Sequence, residues 1–166
     1  MEMQSDDATH VTDVPALGVT PILVTDDAAA AVSFYRDAFA ATELARIAAP
    51  DGMRLLHVRL EILGSRVIIM DELAEVNGLG SHFHSPSKLK GTSVTLHVQV
   101  ERASLVWDRA IAAGGKEIIP LALQFWGEIY GRLADPFGHE WTIAEFVTPL
   151  SNEQIHEASE SVFGKS

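Results

Sequence analysis

Histidines are the residues of this chain best suited to transfer protons or hold a metal ion, and seven are present. His97 and His57 lie in short segments where apolar and polar residues alternate, and each shares its face with a second polar residue two positions on, Gln99 and Arg59. Such a histidine can act as a general acid or base near neutral pH. It can equally be a hydrogen-bonded structural residue. The pattern therefore marks His97 and His57 as candidate catalytic residues and leaves both roles open.

A non-standard metal site is a further alternative. His82 and His84 form a His-x-His pair, which in an extended segment directs both rings to one side. With His57 and His97 they would supply four imidazoles, if the fold brought them together. Loop histidines are more often simply solvated. His139 follows the turn sequence Asp-Pro-Phe-Gly and is expected to cap or pack locally.

Aromatic residues offer a second kind of chemistry. Gln124, Phe125 and Trp126 are consecutive, and Tyr130 follows four residues later. Aromatic faces suit planar or apolar ligands, which the Gln124 amide and the Tyr130 hydroxyl would orient. The alternative is packing in the core. The chain has no nucleophile elbow, phosphate-binding loop or dinucleotide fingerprint, and without cysteine it has no disulfide, thiolate metal site or cysteine nucleophile.

Two halves of the chain share one order of elements, which predicts an internal repeat of two βαβββ modules and an α+β fold. In the first half Asp27 is the expected N-cap of a helix whose buried face carries Val32, Tyr35 and Phe39. The second helix is expected at 103–113, with Val106, Ala110 and Ala113 inward. The predicted strands that follow the helices are 43–48, 53–62 and 66–71, then 117–121, 128–134 and 140–147.

Strand alternation separates a core face from a polar face. The predicted core side chains are Val94, Leu96, Val98 and Val100, then Leu56, Val58, Leu60 and Ile62, with Trp141 and Ile143. The predicted polar faces carry Thr95, His97 and Gln99, then His57, Arg59 and Glu61, with Glu140, Thr142 and Ala144. These polar faces either meet water or line a concave funnel that holds a ligand.

The predicted domain plan is a disordered segment 1–14 and one domain at 15–148, followed by a helical tail at 149–166 with Ile155, Ala158 and Val162 on one face. The domain divides into module 1 at about 17–71, a linker loop at 72–91 without strong periodicity, and module 2 at about 92–148. Loops of this length are often lids or binding loops, although a plain linker is the simpler reading.

Charge and composition exclude several partners. A net charge of −11 disfavours nucleic acid and anionic membrane surfaces. No apolar run reaches the roughly 18 residues of a membrane span. Residues 1–13 are acidic and polar, unlike a signal or transit peptide. With the lack of cysteine, this predicts a cytoplasmic protein.

Residues 124–144 read as two strands joined by the tight Asp-Pro-Phe-Gly turn. This stretch resembles the end of the second module in the vicinal oxygen chelate superfamily (glyoxalase, bleomycin-resistance and extradiol-dioxygenase proteins), especially its PhnB-like branch. Residues 20–24, the Phe34-Tyr35 pair and residues 93–100 extend the resemblance to about 17–148. It implies a cupped, mostly antiparallel sheet, a ligand held in the funnel, and a homodimer.

In metalloenzymes of that superfamily, the first and last strands of each module usually supply the metal ligands. Here the resemblance places Thr20, Ile69 or Met70, Thr95 and Thr142 at those positions. Hydroxyl, aliphatic and thioether groups make a poor site for a divalent cation, so neither a metal nor another cofactor is expected.

The resemblance thus favours a metal-independent protein that binds an apolar or aromatic molecule, as in drug or antibiotic sequestration. The first alternative is a metal-free isomerase, lyase or cyclisation catalyst that uses His97 or His57. The second is a metalloenzyme with unusual histidine ligands. The expected ligand-binding residues are Thr20, Arg59, Thr95, Gln99, Gln124, Phe125, Trp126, Tyr130 and Thr142.

Overall fold

The computed structural model describes residues 17–73 and 82–164. The predicted disordered segment 1–14 lies outside these residues, and so do residues 74–81 of the predicted linker. The elements of module 1 are β1 (Ile22–Thr25), α1 (Ala28–Phe39), β2 (Thr42–Ala48), β3 (Leu55–Ile62) and β4 (Ser65–Asp71). They form a sheet of order β1-β4-β3-β2, in which only the β1–β4 pair is parallel.

Module 2 repeats this plan after a short helix, α2 (Pro86–Leu89), that was not predicted in the linker. Pro86 occupies the first turn of α2, where its missing N–H is not needed. The elements of module 2 are β5 (Thr95–Gln99), α3 (Ala103–Ala112), β6 (Lys116–Leu123), β7 (Glu128–Ala134) and β8 (Glu140–Phe146). Their order is β5-β8-β7-β6, so the α+β fold of two βαβββ modules is confirmed, as two separate four-stranded sheets.

Carboxylates fix where the two long helices begin. The Asp27 side chain accepts a hydrogen bond from the Ala30 N–H at 2.8 Å, as predicted for an N-cap. Asp71, at the end of β4, accepts from the Ala28 N–H at 2.7 Å. Glu145 on β8 does the same for α3, since it accepts from the Ala103 N–H at 2.7 Å. In each module the last strand thus caps the helix that lies against its sheet.

One hydrophobic core joins the modules, because α1 packs against α3. The predicted α1 face of Val32, Tyr35 and Phe39 is buried, and the Phe39 ring centroid lies 4.7 Å from that of Trp141 in module 2. A polar contact reinforces this packing: the Tyr35 hydroxyl donates to Asp135 Oδ2 at 2.6 Å. Residues from both modules are therefore needed to complete the core.

Two core predictions were wrong. Val94 precedes β5 rather than lying within it, and it is 62% exposed. Leu56 is only half-buried, while its neighbour Leu55 is buried. The cause is a bulge at the start of β3: Ile47 pairs with His57, but the next β2 residue, Ala48, pairs with Leu55. The extra residue breaks the two-residue alternation at this point.

The tail forms α4 (Asn152–Phe163), which confirms the predicted helix. Ser151 and Gln154 make a reciprocal capping box that fixes its start. None of its residues is buried, and Phe163, 78% exposed, contacts the body edge-on at Phe125 with ring centroids 5.9 Å apart. Among the described helices, none is long and apolar enough to cross a membrane.

Candidate functional site

The polar face of module 2 carries a hydrogen-bonded row of side chains. Strand register places His97 on β5 opposite Thr142 on β8, and Thr142 opposite Arg132 on β7. His97 Nδ1 lies 2.8 Å from the Thr142 hydroxyl, and His97 Nε2 lies 3.2 Å from the carbonyl oxygen of the Gln99 side chain. The row therefore fixes the imidazole ring through both of its nitrogens.

Arg132 extends this network across β8. Its Nη2 donates to the Thr95 hydroxyl on β5 at 2.8 Å and pairs with the Glu140 carboxylate. Arg132 was not predicted as a site residue. The sequence held one signal for it: Arg132 and Tyr130 are two positions apart in the predicted strand 128–134, so their side chains lie on the same face. Once the turn at 135–139 sets the register of β7 against β8, this face is the one that carries Thr142. The guanidinium brings a fixed positive charge to this face.

Two small residues of the polar face, Thr142 and Ala144, form the floor of what we call the β8 trough. Strand register flanks them with larger residues on the same face. The walls of this β8 trough are Arg132 and Tyr130 on one side, and His97 and Gln99 on the other. The floor residues are only 4% and 0% exposed, so the walls cover them. A ligand on this face would therefore contact the polar and aromatic walls.

A cavity of about 580 Å³ adjoins the trough and lies between the two modules. His97 and Gln99 line it from β5, and Thr20 lines it from the segment before β1. Arg66 and Trp141 contribute further walls. The volume falls within the range of small-molecule sites. The structure thus brings together Thr20, His97 and Gln99, and Thr142 contacts the cavity lining through its hydrogen bond with His97. Thr95 is bonded to Arg132, which does not line the cavity.

His57 and Arg59 lie elsewhere, on β3 of the other sheet, and neither lines this cavity. The pKa of His57 is lowered by burial and, to a smaller degree, by the positive charge of Arg59. A proton on His57 is therefore disfavoured at neutral pH. His57 and Arg59 therefore do not form one site with His97. A catalytic role for His57 would be independent of one for His97.

The aromatic stretch packs at the β6–β7 turn and reaches the trough only through Tyr130. The Phe125 and Trp126 rings meet edge to face at 4.9 Å, and Trp126 meets Tyr130 in the same way at 5.5 Å. The indole N–H of Trp126 donates to Glu128 at 2.9 Å. Gln124 donates to the Ala122 carbonyl at 3.3 Å. Gln124, Phe125 and Trp126 therefore support one wall and do not line the cavity.

The histidines proposed for a non-standard metal site do not converge. His97 lines the cavity beside β5, whereas His84 lines a second cleft under α2 together with His139. Nδ1 of His84 faces the Glu72 carboxylate at 3.5 Å. Within residues 17–73 and 82–164, no three His, Asp or Glu side chains form a group that fits a metal ion.

The positions that the resemblance assigns to metal ligands do not fit a divalent cation either. Ile69 is fully buried in the core. The hydroxyls of Thr95 and Thr142 are already hydrogen-bonded, to Arg132 and His97. A guanidinium this close to Thr95 would repel a second cation. The donor set of module 2 thus suits a neutral or negatively charged group better than a metal ion.

His139 makes the local contact that was predicted through its backbone, and its side chain adds a contact between the modules. Its Nε2 donates to the Val24 carbonyl on β1 at 3.0 Å, while its backbone N–H donates to Asp135 Oδ1 at 2.9 Å. The residue therefore helps to hold β1 beside the turn before β8.

Comparison with known proteins agrees with this architecture. An uncharacterized protein of Mycobacterium tuberculosis (strain H37Rv), Rv0887c, is 39% identical over 158 residues, which cover 95% of this chain and 90% of the relative. The X-ray structure of the Arabidopsis thaliana gene product At5g48480 superimposes with a TM-score of 0.60 at 26% identity, and covers 79% of this chain and 100% of that one. A PhnB protein from Bacillus cereus shares the fold, with a TM-score of 0.57 at 18% identity over 76% of this chain and 98% of that one.

The family model for the Glyoxalase/Bleomycin resistance protein/Dioxygenase superfamily matches residues 10–143. This match spans both modules as far as residue 143 and includes Thr95, His97, Arg132 and Thr142 of the polar face. The chain belongs to the Glyoxalase/Bleomycin resistance protein/Dioxygenase superfamily.

Proposed function

We propose that this protein binds a small organic molecule with a planar, apolar body, without a resident metal ion. The observation that carries the proposal is the 580 Å³ cavity, whose lining residues His97 and Gln99 also form one wall of the β8 trough. Tyr130 on the opposite wall offers an aromatic face for the body of the ligand. The hydroxyl, imidazole and amide groups at the rim orient it. Sequestration of a drug or antibiotic is the form of binding that we propose.

The hydrogen bonds of His97 favour binding over proton transfer. The side-chain carbonyl of Gln99 only accepts, so the network assigns a hydrogen to His97 Nε2. His97 Nδ1 then accepts from the Thr142 hydroxyl. Neither nitrogen is left to take a proton from a ligand. The second candidate, a metal-free isomerase, lyase or cyclisation catalyst, requires the ligand to displace Gln99 or Thr142 from the ring.

We also propose a cytoplasmic homodimer. Its support is the apolar surface that remains on module 2 and the tail, at Leu123, Phe146 and Phe163. Burial of large exposed apolar side chains such as these would favour association of two chains. Analytical ultracentrifugation of the full chain tests this, and a monomer at micromolar concentration would contradict it.

A fluorescence titration with the neutral planar probe N-phenyl-1-naphthylamine tests the binding proposal. We expect saturable binding that Ala144→Leu weakens at least roughly tenfold, because Ala144 is fully covered and a larger side chain must displace Gln99 and Tyr130, which flank it. Tyr130→Ala, which removes one wall, is the second variant in case Ala144→Leu disturbs folding. His156→Gln on the exposed tail helix is the matched control for His97→Gln.

His97→Gln separates the two candidate functions. Glutamine retains a donor and an acceptor, so a binding protein should keep its affinity within about threefold. A catalyst that relies on the imidazole would lose roughly 10²–10⁴ in rate while still binding. Non-saturable probe binding, equal in wild type, Ala144→Leu and Tyr130→Ala, would overturn the proposed site.

A further inference from the structure

Arg132 contacts or neighbours both positions of module 2 that the resemblance gives to metal ligands, Thr95 and Thr142. From β7 its side chain reaches over β8 to Thr95 on β5, a distance of two strand spacings or roughly 10 Å. Thr95 pairs in register with Glu140, and Thr142 is the direct neighbour of Arg132 on β8. The positive charge on this face thus belongs to the protein itself.

The guanidinium has donors left to offer. Its Nη2 serves both Thr95 and Glu140, while Nε is buried and has no hydrogen-bond partner among the described residues. The edge formed by Nε and Nη2 is the one that binds a carboxylate with two parallel hydrogen bonds. Glu140 uses only half of this edge. A carboxylate that replaced Glu140 could use both donors after a small rotation of the guanidinium.

The Glu140 side chain can move away from Arg132 without loss of a core contact. Its side chain is about a quarter exposed, and it lies on the polar face rather than in the core. The other carboxylates of β7 and β8 are engaged elsewhere: Glu128 accepts from Trp126, and Glu145 caps α3. Glu140 is therefore the acidic group that competes with a ligand for Arg132.

From this arrangement we propose that Arg132 anchors a carboxylate of the ligand, and that Glu140 holds the guanidinium in place until the ligand displaces it. The inference rests on the proposed function and names its ligand class: an aromatic carboxylic acid whose ring lies against Tyr130. With a net charge of −11 the protein repels multiply charged anions at long range. One local guanidinium suits a singly charged acid.

The test compares 2-naphthoate with its neutral isostere 2-naphthamide, titrated calorimetrically into the full chain. We expect wild type to prefer naphthoate by roughly tenfold or more, as for a charge-assisted bidentate pair. Arg132→Gln should remove this preference, because naphthoate affinity falls by more than naphthamide affinity does. Glu140→Gln should strengthen naphthoate binding about threefold, because the internal competitor is weakened. Arg36→Gln, on the exposed surface of α1, is the matched control and should change neither affinity.

The outcomes separate the two proposals. Equal binding of both probes by wild type, or a preference that survives Arg132→Gln, overturns the carboxylate anchor and leaves the binding function standing. Binding of neither probe overturns both. Arg132→Lys is the second variant if Arg132→Gln does not fold: it keeps the charge but loses the planar fork, and should retain only part of the preference.

Discussion

The contact between Tyr35 and Asp135 makes a quantitative prediction about how the two modules are held together. Asp135 is buried and accepts four hydrogen bonds. Oδ1 receives the backbone N–H groups of Phe137 and His139, both at 2.9 Å. Oδ2 receives the Tyr35 hydroxyl at 2.6 Å and the Trp141 indole N–H at 3.1 Å. One carboxylate therefore organises its own turn and ties α1 to module 2.

Two substitutions remove different parts of this arrangement. Tyr35→Phe deletes one hydrogen bond to a charged group and should lower the free energy of unfolding by about 1.5–3 kcal/mol. Asp135→Asn keeps the shape of the side chain, but its NH₂ group must face either the two backbone donors or Tyr35 and Trp141. Two hydrogen bonds are lost in either orientation, so we expect about 3–5 kcal/mol. That is a large share of the 5–15 kcal/mol typical of a domain.

Burial also raises the pKa of Tyr35 well above its ordinary value, and the adjacent Asp135 carboxylate raises it further. The hydroxyl is thus a committed donor at neutral pH, as this reasoning requires. Urea unfolding followed by tryptophan fluorescence at 25 °C measures both variants, with Asp108→Asn on the exposed face of α3 as the control. The reasoning would be refuted if Asp135→Asn stayed within about 0.5 kcal/mol of wild type, the range of ordinary surface substitutions.

Three further predictions concern packing, acid stability and metal content. Gly131→Ala would place a Cβ 2.7 Å from the Trp107 ring, so we expect overpacking of about 1–3 kcal/mol, measured as a lower urea midpoint. Hydrogen bonds from Lys88 and Ser85 lower the pKa of Glu72 from its ordinary value of 4.5 to about 2. The ionised Glu72 side chain therefore contributes fully to the free energy of unfolding above pH 4.5, and this contribution is lost as the pH falls toward 2. The stability difference between wild type and Glu72→Gln should therefore shrink over that interval in urea titrations, and a constant difference would contradict it. Untagged protein incubated with Zn, Ni, Mn and Fe(II) and then dialysed should retain less than about 0.1 ion per chain by plasma mass spectrometry, whereas a specific site fills to near one.

Local patterns predicted the elements of both modules, and the resemblance to a known superfamily predicted how they assemble. The strands and helices of both modules follow from alternation and from helical spacing, and the repeat of these elements identifies two equivalent units. The errors occur where a distant residue decides the outcome. Leu56 obeys alternation, but the bulge opposite Ile47 and Ala48 moves Leu55 into the core. The sequence around Leu56 carries no sign of this bulge.

The candidate site was harder to predict because it depends on register between strands. Alternation alone placed His97, Gln99 and Thr142 on the polar faces of their strands, and they lie on that face in the structure. Arg132 was missed because its partners, Thr95 and Glu140, lie 37 and 8 residues away in sequence and meet it only after β7, β8 and β5 align. The aromatic stretch shows the opposite error: Phe125 and Trp126 are near the site in sequence, yet they pack against each other and the tail.

Alternation along β7 and β8 also determines how the site can be tested. Arg132 lies on the polar face, while the next residue, Leu133, is fully buried in the core. On β8, Thr142 faces the trough between Trp141 and Ile143, which both face the core. A substitution of Arg132 therefore alters the charge of the site without removing core contacts, whereas Asp135, three residues on, holds the modules together. For this reason a loss of naphthoate preference in Arg132→Gln with an unchanged urea midpoint would locate the effect in binding, and a lowered midpoint would locate it in the fold.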